Sequence, residues 1–275
     1  MEASLTWTIA QREMRESLRN KWLFIYTLGF ALLAFTLSRA SLASAGYVGL
    51  GGFGRTTASL VNAVLLFAPL LGLSIGAGAL AGDRERGTLF YLLAQPVSRA
   101  EVFFGKAIGV ALAVSLSLVI GFGLAAVALS VRGTADAGAF LALVGYALLL
   151  VYASLGLGFL ISAGSRKSST ALGIAILLWL GLVFLGDLGL IGATLAFRPA
   201  PATLLGMLVV NPLQIFKIGA IYSMRSSLDA LGPVGQYATH HFGEMIPFLL
   251  TGLLSLWTLL TFGLAFFLFN QKKDV

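Results

Sequence analysis

Two uncharged stretches, residues 56–82 and 107–131, bracket a short segment dense in charge, and this alternation is the strongest constraint the chain carries. Each stretch exceeds the roughly 20 residues a helix needs to cross a hydrocarbon core about 30 Å thick. Backbone in that medium must satisfy its own hydrogen bonds, which leaves helices or a closed barrel. Barrel strands are short and alternating, whereas these runs are long and continuously apolar, so helices are predicted. Residues 83–106 then form a connection outside the bilayer with local structure of its own.

Composition extends this reading to the whole chain. Hydrophobic residues make up 58% of it and charged residues 11%, with a mean hydropathy of +0.94. That is too little polar surface to cover a soluble core of 275 residues. The 33 glycines suit close helix contacts in lipid. A net charge of +7 and a pI near 9.9 raise nucleic acid as a partner, but the basic residues are scattered between apolar spans rather than gathered into a patch. Membrane orientation accounts for them, and no nucleic-acid role is predicted. The absence of cysteine excludes disulfides and thiolate metal sites.

Residues 4–21 read as an interfacial helix, with Trp7, Met14, Leu18 and Trp22 on an apolar side and Arg12, Glu13, Arg15, Glu16, Arg19 and Lys21 in water. The first span is predicted at 22–38. Ala43-Ser44-Ala45 outlines a signal cleavage site, but the run before it is rich in aromatics and starts late, so a retained span is expected. A Gly- and Ser-rich loop follows to Ser59. Within it, Gly49 to Gly54 matches G-x-G-x-x-G formally, yet it follows no strand and reads as a connection. Further spans are predicted at 60–82, 106–131, 138–163, 168–189 and 245–269. The pairs Gly72/Gly76, Gly78/Gly82 and Gly105/Gly109 have the spacing for close helix packing, which chance also supplies in a chain this rich in glycine.

The expected fold class is therefore an all-α integral membrane protein of six transmembrane helices, one membrane domain over 1–275. With six spans, both termini share a side. That side carries twelve Lys and Arg and the opposite loops six, so the termini and residues 83–106 are predicted to be cytoplasmic. The outer segment, 190–244, holds an N-cap and first-turn proline at Asn211-Pro212, a helix over 213–231 predicted to lie on the outer surface, and a stop at Gly232-Pro233. Pro199–Val210 reads as either a surface or a re-entrant piece.

Candidate chemistry is sparse. No Gly-x4-Gly-Lys-Ser/Thr is present, so the polypeptide is not expected to hydrolyse ATP itself; no cofactor bound directly is expected, and any ATP with its magnesium ion would be held by a partner ATPase. His240 and His241 are adjacent, point in different directions on any regular element, and read as polar loop residues rather than metal ligands. Asp187, near the end of an apolar run, is a candidate for lining a substrate path, against the simpler reading of a hydrated carboxylate at the interface. No ionisable residue is predicted at mid-depth in any span, which argues against a proton relay.

Energy for any transport must then come from elsewhere, and residues 83–101 have the form of a rigid element that a nucleotide-hydrolysing partner would need to push against. Asp83 and Glu85 suit the positive end of a helix, Thr88, Leu89, Leu92 and Leu93 offer an apolar strip, and Pro96 with Ser98 ends it before Arg99 and Glu101 open the next helix. An amphipathic connector accounts for these residues equally well.

The pattern Glu85-Arg-Gly87-Thr88-Leu89, Leu92-Leu93, Pro96-Val-Ser98-Arg99, Glu101 and Gly105-Lys106 resembles the cytoplasmic coupling segment of ABC-2 type ABC-transporter permeases. The resemblance implies an inner-membrane permease working with a second permease copy and an ATP-hydrolysing subunit, with Glu85, Gly87, Thr88, Leu89, Leu92, Pro96 and Arg99 as its coupling residues. The outer stretch Asn211–Ile218, continuing to Pro233, is similar to the permeases that serve maturation of nitrous oxide reductase. That similarity implies a NosF-like ATPase, a NosD-like periplasmic partner and a role in assembling a copper centre. Lys217, Arg225, His240 and His241 are the candidates for contact with the outer partner. An exporter of lipid, drug or peptide and a non-transporting membrane anchor remain as alternatives. The predicted spans lack the Met, Cys and His clusters of a soft-metal path, so passage of bare copper is the weaker idea.

Overall fold

The computed structural model describes residues 3–44, 51–130, 137–197, 199–225 and 233–271, and these residues are helical almost throughout. In order they form α1 (Ala3–Leu18), α2 (Lys21–Ser44), α3 (Gly51–Arg86), α4 (Thr88–Leu93), α5 (Arg99–Ser130), α6 (Ala137–Gly164), α7 (Ser168–Phe197), α8 (Pro201–Val209), α9 (Pro212–Arg225), α10 (Pro233–Phe242) and α11 (Ile246–Gln271). Among the described residues, five helical stretches are long and apolar enough to cross a membrane: Leu60–Arg86, Arg99–Val127, Ala137–Gly164, Ser168–Phe197 and Val234–Gln271. The α8 and α9 pair, bent by 112°, makes a sixth if counted as one broken span, and α2 contributes the shorter apolar stretch Lys21–Leu33.

Water drives none of the packing between spans in lipid, so backbone proximity must supply the contact energy. The α3–α6 crossing illustrates how. A Cβ on Gly72 would lie 2.7 Å from the Val151 carbonyl oxygen, one on Gly76 2.7 Å from that of Leu155, and one on Gly158 2.7 Å from that of Leu73. Gly105 and Gly109 on α5 do the same for α1, whose Ile9 and Ala10 press against them. Two of the three glycine pairs therefore mark helix contacts. Gly78 and Gly82 face no packed backbone.

The core fills outward from that crossing. Phe103 touches Phe159, Phe266 and Phe269 at ring-centroid distances of 5.7, 5.4 and 5.7 Å, joining α5, α6 and α11. Phe30 of α2 meets Phe122 edge-on at 5.2 Å, which seats α2 on α5. By contrast α7 buries only Ala171 and Ala175.

Three expectations change. The stretch read as a loop up to Ser59 is helical from Gly51 onward, because its glycines cost only about 1 kcal/mol each and no proline stops the turn. Gly49 and Leu50 lie outside the described residues. The outer helix does not lie on the surface: Leu213, Ile215, Phe216, Ile218 and Ala220 are buried against the bundle. Its described part runs to Arg225, and 226–232, including the end predicted at Leu231 and part of the Gly232-Pro233 stop, lie outside the described residues. Glu13 does not point to water but into the α1–α5 contact alongside Thr6, Ala10 and Ser17, whereas Trp7, Leu18 and Trp22 are exposed.

Candidate coupling site

At one end of the bundle, residues 83–106 are tied to four other helices, α1, α6, α7 and α11. Asp83 and Glu85 fall on the last turn of α3, so they do not serve the start of α4. Asp83 Oδ2 lies 2.6 Å from Lys106 Nζ, and its Oδ1 accepts from Arg86 Nη2 at 2.7 Å. The Lys106 ammonium also donates to Glu13 Oε2 at 2.6 Å, and its side chain is 2% exposed. Burial raises the Glu13 carboxyl above its usual 4.5, with Lys106 pulling in the opposite direction.

The neighbouring charges reach other helix ends. Arg84 Nη1 donates to the carbonyls of Ser162 and Ser165, placing a cation at the negative end of α6. Glu85 Oε2 accepts from the Ser168 N–H at 2.9 Å, so its carboxylate caps the positive end of α7. Arg99 Nη1 donates to the Phe269 carbonyl at 3.4 Å on the last turn of α11. One step deeper, the Ser162 hydroxyl accepts from the N–H groups of Leu80 and Ala81 and donates to the Ala77 carbonyl, inserting an α6 side chain into the α3 backbone ladder.

Between α3 and α5 the chain turns sharply. Gly87 has φ 75°, a left-handed conformation that glycine adopts without the cost a side chain would bring. The Thr88 hydroxyl donates to the Asp83 carbonyl at 3.2 Å. On α4, Leu89 is fully buried and Leu92 half-buried, while Phe90 and Tyr91 are 61% and 75% exposed. The apolar strip legible in the sequence therefore anchors α4 inward, and two aromatics outside that strip face out. Pro96 is exposed in the turn that follows. Ser98 and Glu101 form a capping box: the Ser98 N–H donates to Glu101 Oε2 at 2.9 Å, and the Glu101 N–H to Ser98 Oγ at 3.2 Å.

Residues 7–274 match the family model described as ABC-2 family transporter protein. The chain belongs to that family. It is also 34% identical over 221 residues to the probable ABC transporter permease protein NosY of Pseudomonas aeruginosa, covering 78% of this chain and 80% of the relative. The protein of the same name from Stutzerimonas stutzeri is 31% identical over 233 residues, covering 82% and 84%. The chain is thus a multi-pass ABC-2 permease, and membership of an ABC transporter family implies an ATPase partner.

The other end of the permease holds the remaining candidates. Asp187 Oδ1 accepts from Gln214 Nε2 at 2.8 Å and from Lys217 Nζ at 3.0 Å, so Asp187 and Lys217 come together and fasten α7 to α9. Asn211 caps α9 as predicted, its Oδ1 accepting from the Leu213 N–H at 3.0 Å, and its Nδ2 donates to the Leu182 carbonyl at 2.7 Å. His240 and His241 are exposed at the end of α10, where His241 stacks on Tyr237 at 4.0 Å. Arg225 is the last described residue of α9. Among the described residues no group of three or more His, Cys, Asp or Glu is placed to hold a metal ion.

Sequence reasoning missed the Glu13–Lys106–Asp83 cluster, Ser162, and the outward pair Phe90 and Tyr91. For the cluster a signal existed. Lys106 heads an uncharged run and Asp83 ends one, and an ammonium at the head of a buried helix requires a counter-charge. For Ser162 no signal existed, because its partners are backbone atoms of a helix some 80 residues away.

Proposed function

We propose that this permease sits in the inner membrane with both termini cytoplasmic, pairs with a second copy, and converts ATP hydrolysis in a NosF-like subunit into work at the outer face. In this reading residues 83–101 are the docking and transmission segment. Phe90, Tyr91 and Pro96 form its outward surface, and Glu85, Gly87, Thr88, Leu89, Leu92 and Arg99 hold its shape. The observation that carries the reading is the set of contacts from this one segment to the ends of α6, α7 and α11 and, through Lys106, to α1. A push on α4 is thereby shared among several helices at once.

The similarity to NosY permeases supports a role in assembling the copper centre of nitrous oxide reductase. The work at the outer face is passage of a sulfur species or a mechanical signal to a NosD-like periplasmic protein, with Lys217, Arg225, His240 and His241 as its contacts. The test is complementation. A strain lacking this permease should make nitrous oxide reductase without its copper-centre absorption bands, and restoring the gene should restore them. An unchanged spectrum in the deletion strain refutes the assignment.

A second reading draws on a cavity of about 700 Å³ near the 83–101 end, where Tyr26, Ile75, Leu172 and Ile176 give apolar wall and Glu16, Arg19 and Arg86 a charged rim. Such a cavity suits an amphiphile, as an exporter of lipid, drug or peptide requires. Loss of export of an amphiphile alongside a normal reductase spectrum would favour this reading.

A further inference from the structure

Lys106 lies outside the proposed docking segment, yet its position gives it a role in the cycle. We propose that Glu13, Lys106 and Asp83 form a pin that makes α1 move as one body with the docking segment, so that α1 is a working part of the permease. The proposal rests on the ATP-driven reading above and deepens it, giving the contact through Lys106 to α1 a role in the cycle.

The geometry is a single ammonium shared by two carboxylates on different helices. Lys106 on α5 reaches Glu13 on α1 at 2.6 Å and Asp83 on α3 at 2.6 Å, and all three side chains are largely withdrawn from solvent, at 2%, 14% and 9% exposure. An exposed pair can exchange its partner for water at little cost. A buried ammonium cannot, because separation leaves an uncompensated charge in an apolar setting. Displacement of Asp83 must therefore carry Lys106 and Glu13 with it.

Asp83 is also the residue from which the docking segment departs. Its carboxylate holds Arg86 at 2.7 Å and its carbonyl accepts from Thr88 Oγ1 at 3.2 Å, so the start of α4 is bound to the same residue as Lys106. Sterics complete the link. A Cβ on Gly105 would lie 2.8 Å from Ile9, and one on Gly109 would collide with the Ala10 carbonyl, so α1 lies directly on α5 where Lys106 projects. Well-packed apolar residues hold helices together as firmly as a buried ion cluster does, so stability alone does not call for these charges. A directional link that resists shear between α1 and α3 does.

The chain has no cysteine, so spin labels report only where they are placed. Gln11→Cys on α1 and Gln95→Cys after α4 are both exposed positions. In the complete permease–ATPase complex in lipid nanodiscs, the distance between them should be the same in the nucleotide-free and vanadate-trapped states. Glu13→Ala removes only the α1 half of the pin and leaves Lys106 its Asp83 partner, so it should fold. In that variant the distance should shift between the two states, and ATP-driven output should fall while ATPase co-purification persists. Lys106→Met should behave likewise and Lys106→Arg should restore the wild-type result. A Glu13→Ala distance that stays fixed in both states, with only thermal stability reduced, overturns the pin and leaves ATP coupling intact. Failure of the wild-type permease to retain any ATPase would overturn both readings.

Discussion

Replacement of Leu89 and replacement of Tyr91 should damage different properties, although the residues are two positions apart on one short helix. Leu89 is fully buried beneath α4, and truncation of a buried leucine to alanine costs about 2–5 kcal/mol through lost transfer energy and the cavity left behind. Leu89→Asp would cost more, since it buries a carboxylate with no partner. Tyr91 is 75% exposed, so Tyr91→Ala should change stability by no more than about 0.5 kcal/mol. If Tyr91 is an anchor for the ATPase, truncation should cost at least about 2 kcal/mol of binding, roughly 30-fold in affinity. Phe90→Ala, at 61% exposure, should act in the same direction. The assay pairs thermal unfolding of the purified permease, followed by size-exclusion fluorescence, with titration of the ATPase onto nanodiscs. Leu89→Ala should lower the unfolding temperature, and Tyr91→Ala should leave it unchanged while weakening the titration. Unaltered ATPase affinity in the Phe90→Ala, Tyr91→Ala double variant would refute the assignment of this surface.

Gly76→Ala should destabilise by about 1–3 kcal/mol, because its new Cβ meets backbone at 2.7 Å, whereas Gly78→Ala meets nothing within 4 Å and should be neutral or slightly stabilising; thermal unfolding compares them. Ser162→Ala should cost about 1–3 kcal/mol and speed hydrogen exchange at Leu80 and Ala81, whose N–H groups it leaves without their hydroxyl partner. Asp187→Ala leaves the buried amide of Gln214 unmatched and frees Lys217, so hydrogen exchange along α9 should rise while the 83–101 end is unaffected. The raised Glu13 carboxyl makes a prediction with a definite sign. The folded chain holds that proton more tightly than the unfolded chain, so this contribution favours the fold near and below pH 4.5 and is lost as pH rises through the folded value. The unfolding temperature of wild type relative to Glu13→Gln should therefore fall as pH is raised from about 4.5 toward neutrality, and a difference that does not change with pH would contradict it.

The spans were legible because apolar length is a property of consecutive residues, and the limits of α6 at Ala137–Gly164 lie within one residue of those read from sequence. The capping box at Ser98 and Glu101 and the cap at Asn211 were equally local and equally readable. Reading failed where a residue's role is set by a distant helix. Glu13 sits among wet charges in the sequence, and only the approach of α5, permitted by Gly105 and Gly109, turns it inward. Leu89 and Leu92 left a docking strip and a plain connector equally open, because an apolar face beside a charged segment looks the same whether its partner is another protein or the chain's own core. The buried position of α9 was hidden for the same reason: an amphipathic helix on a membrane surface and one wedged between α6 and α11 have similar patterns.

The sparse packing of α7 has a consequence for the assembled transporter. This helix is moored by Glu85 at Ser168, by Ala171 and Ala175 in its first two turns, by Asn211 at the Leu182 carbonyl and by Lys217 and Gln214 at Asp187, while its last ten residues, 188–197, bury no side chain. A rod held that way bends beyond its last mooring under small loads, whereas the glycine-seated crossing of α3 and α6 does not. Whatever lies along that end, lipid or protein, therefore sets its curvature with little opposition from the rest of the chain.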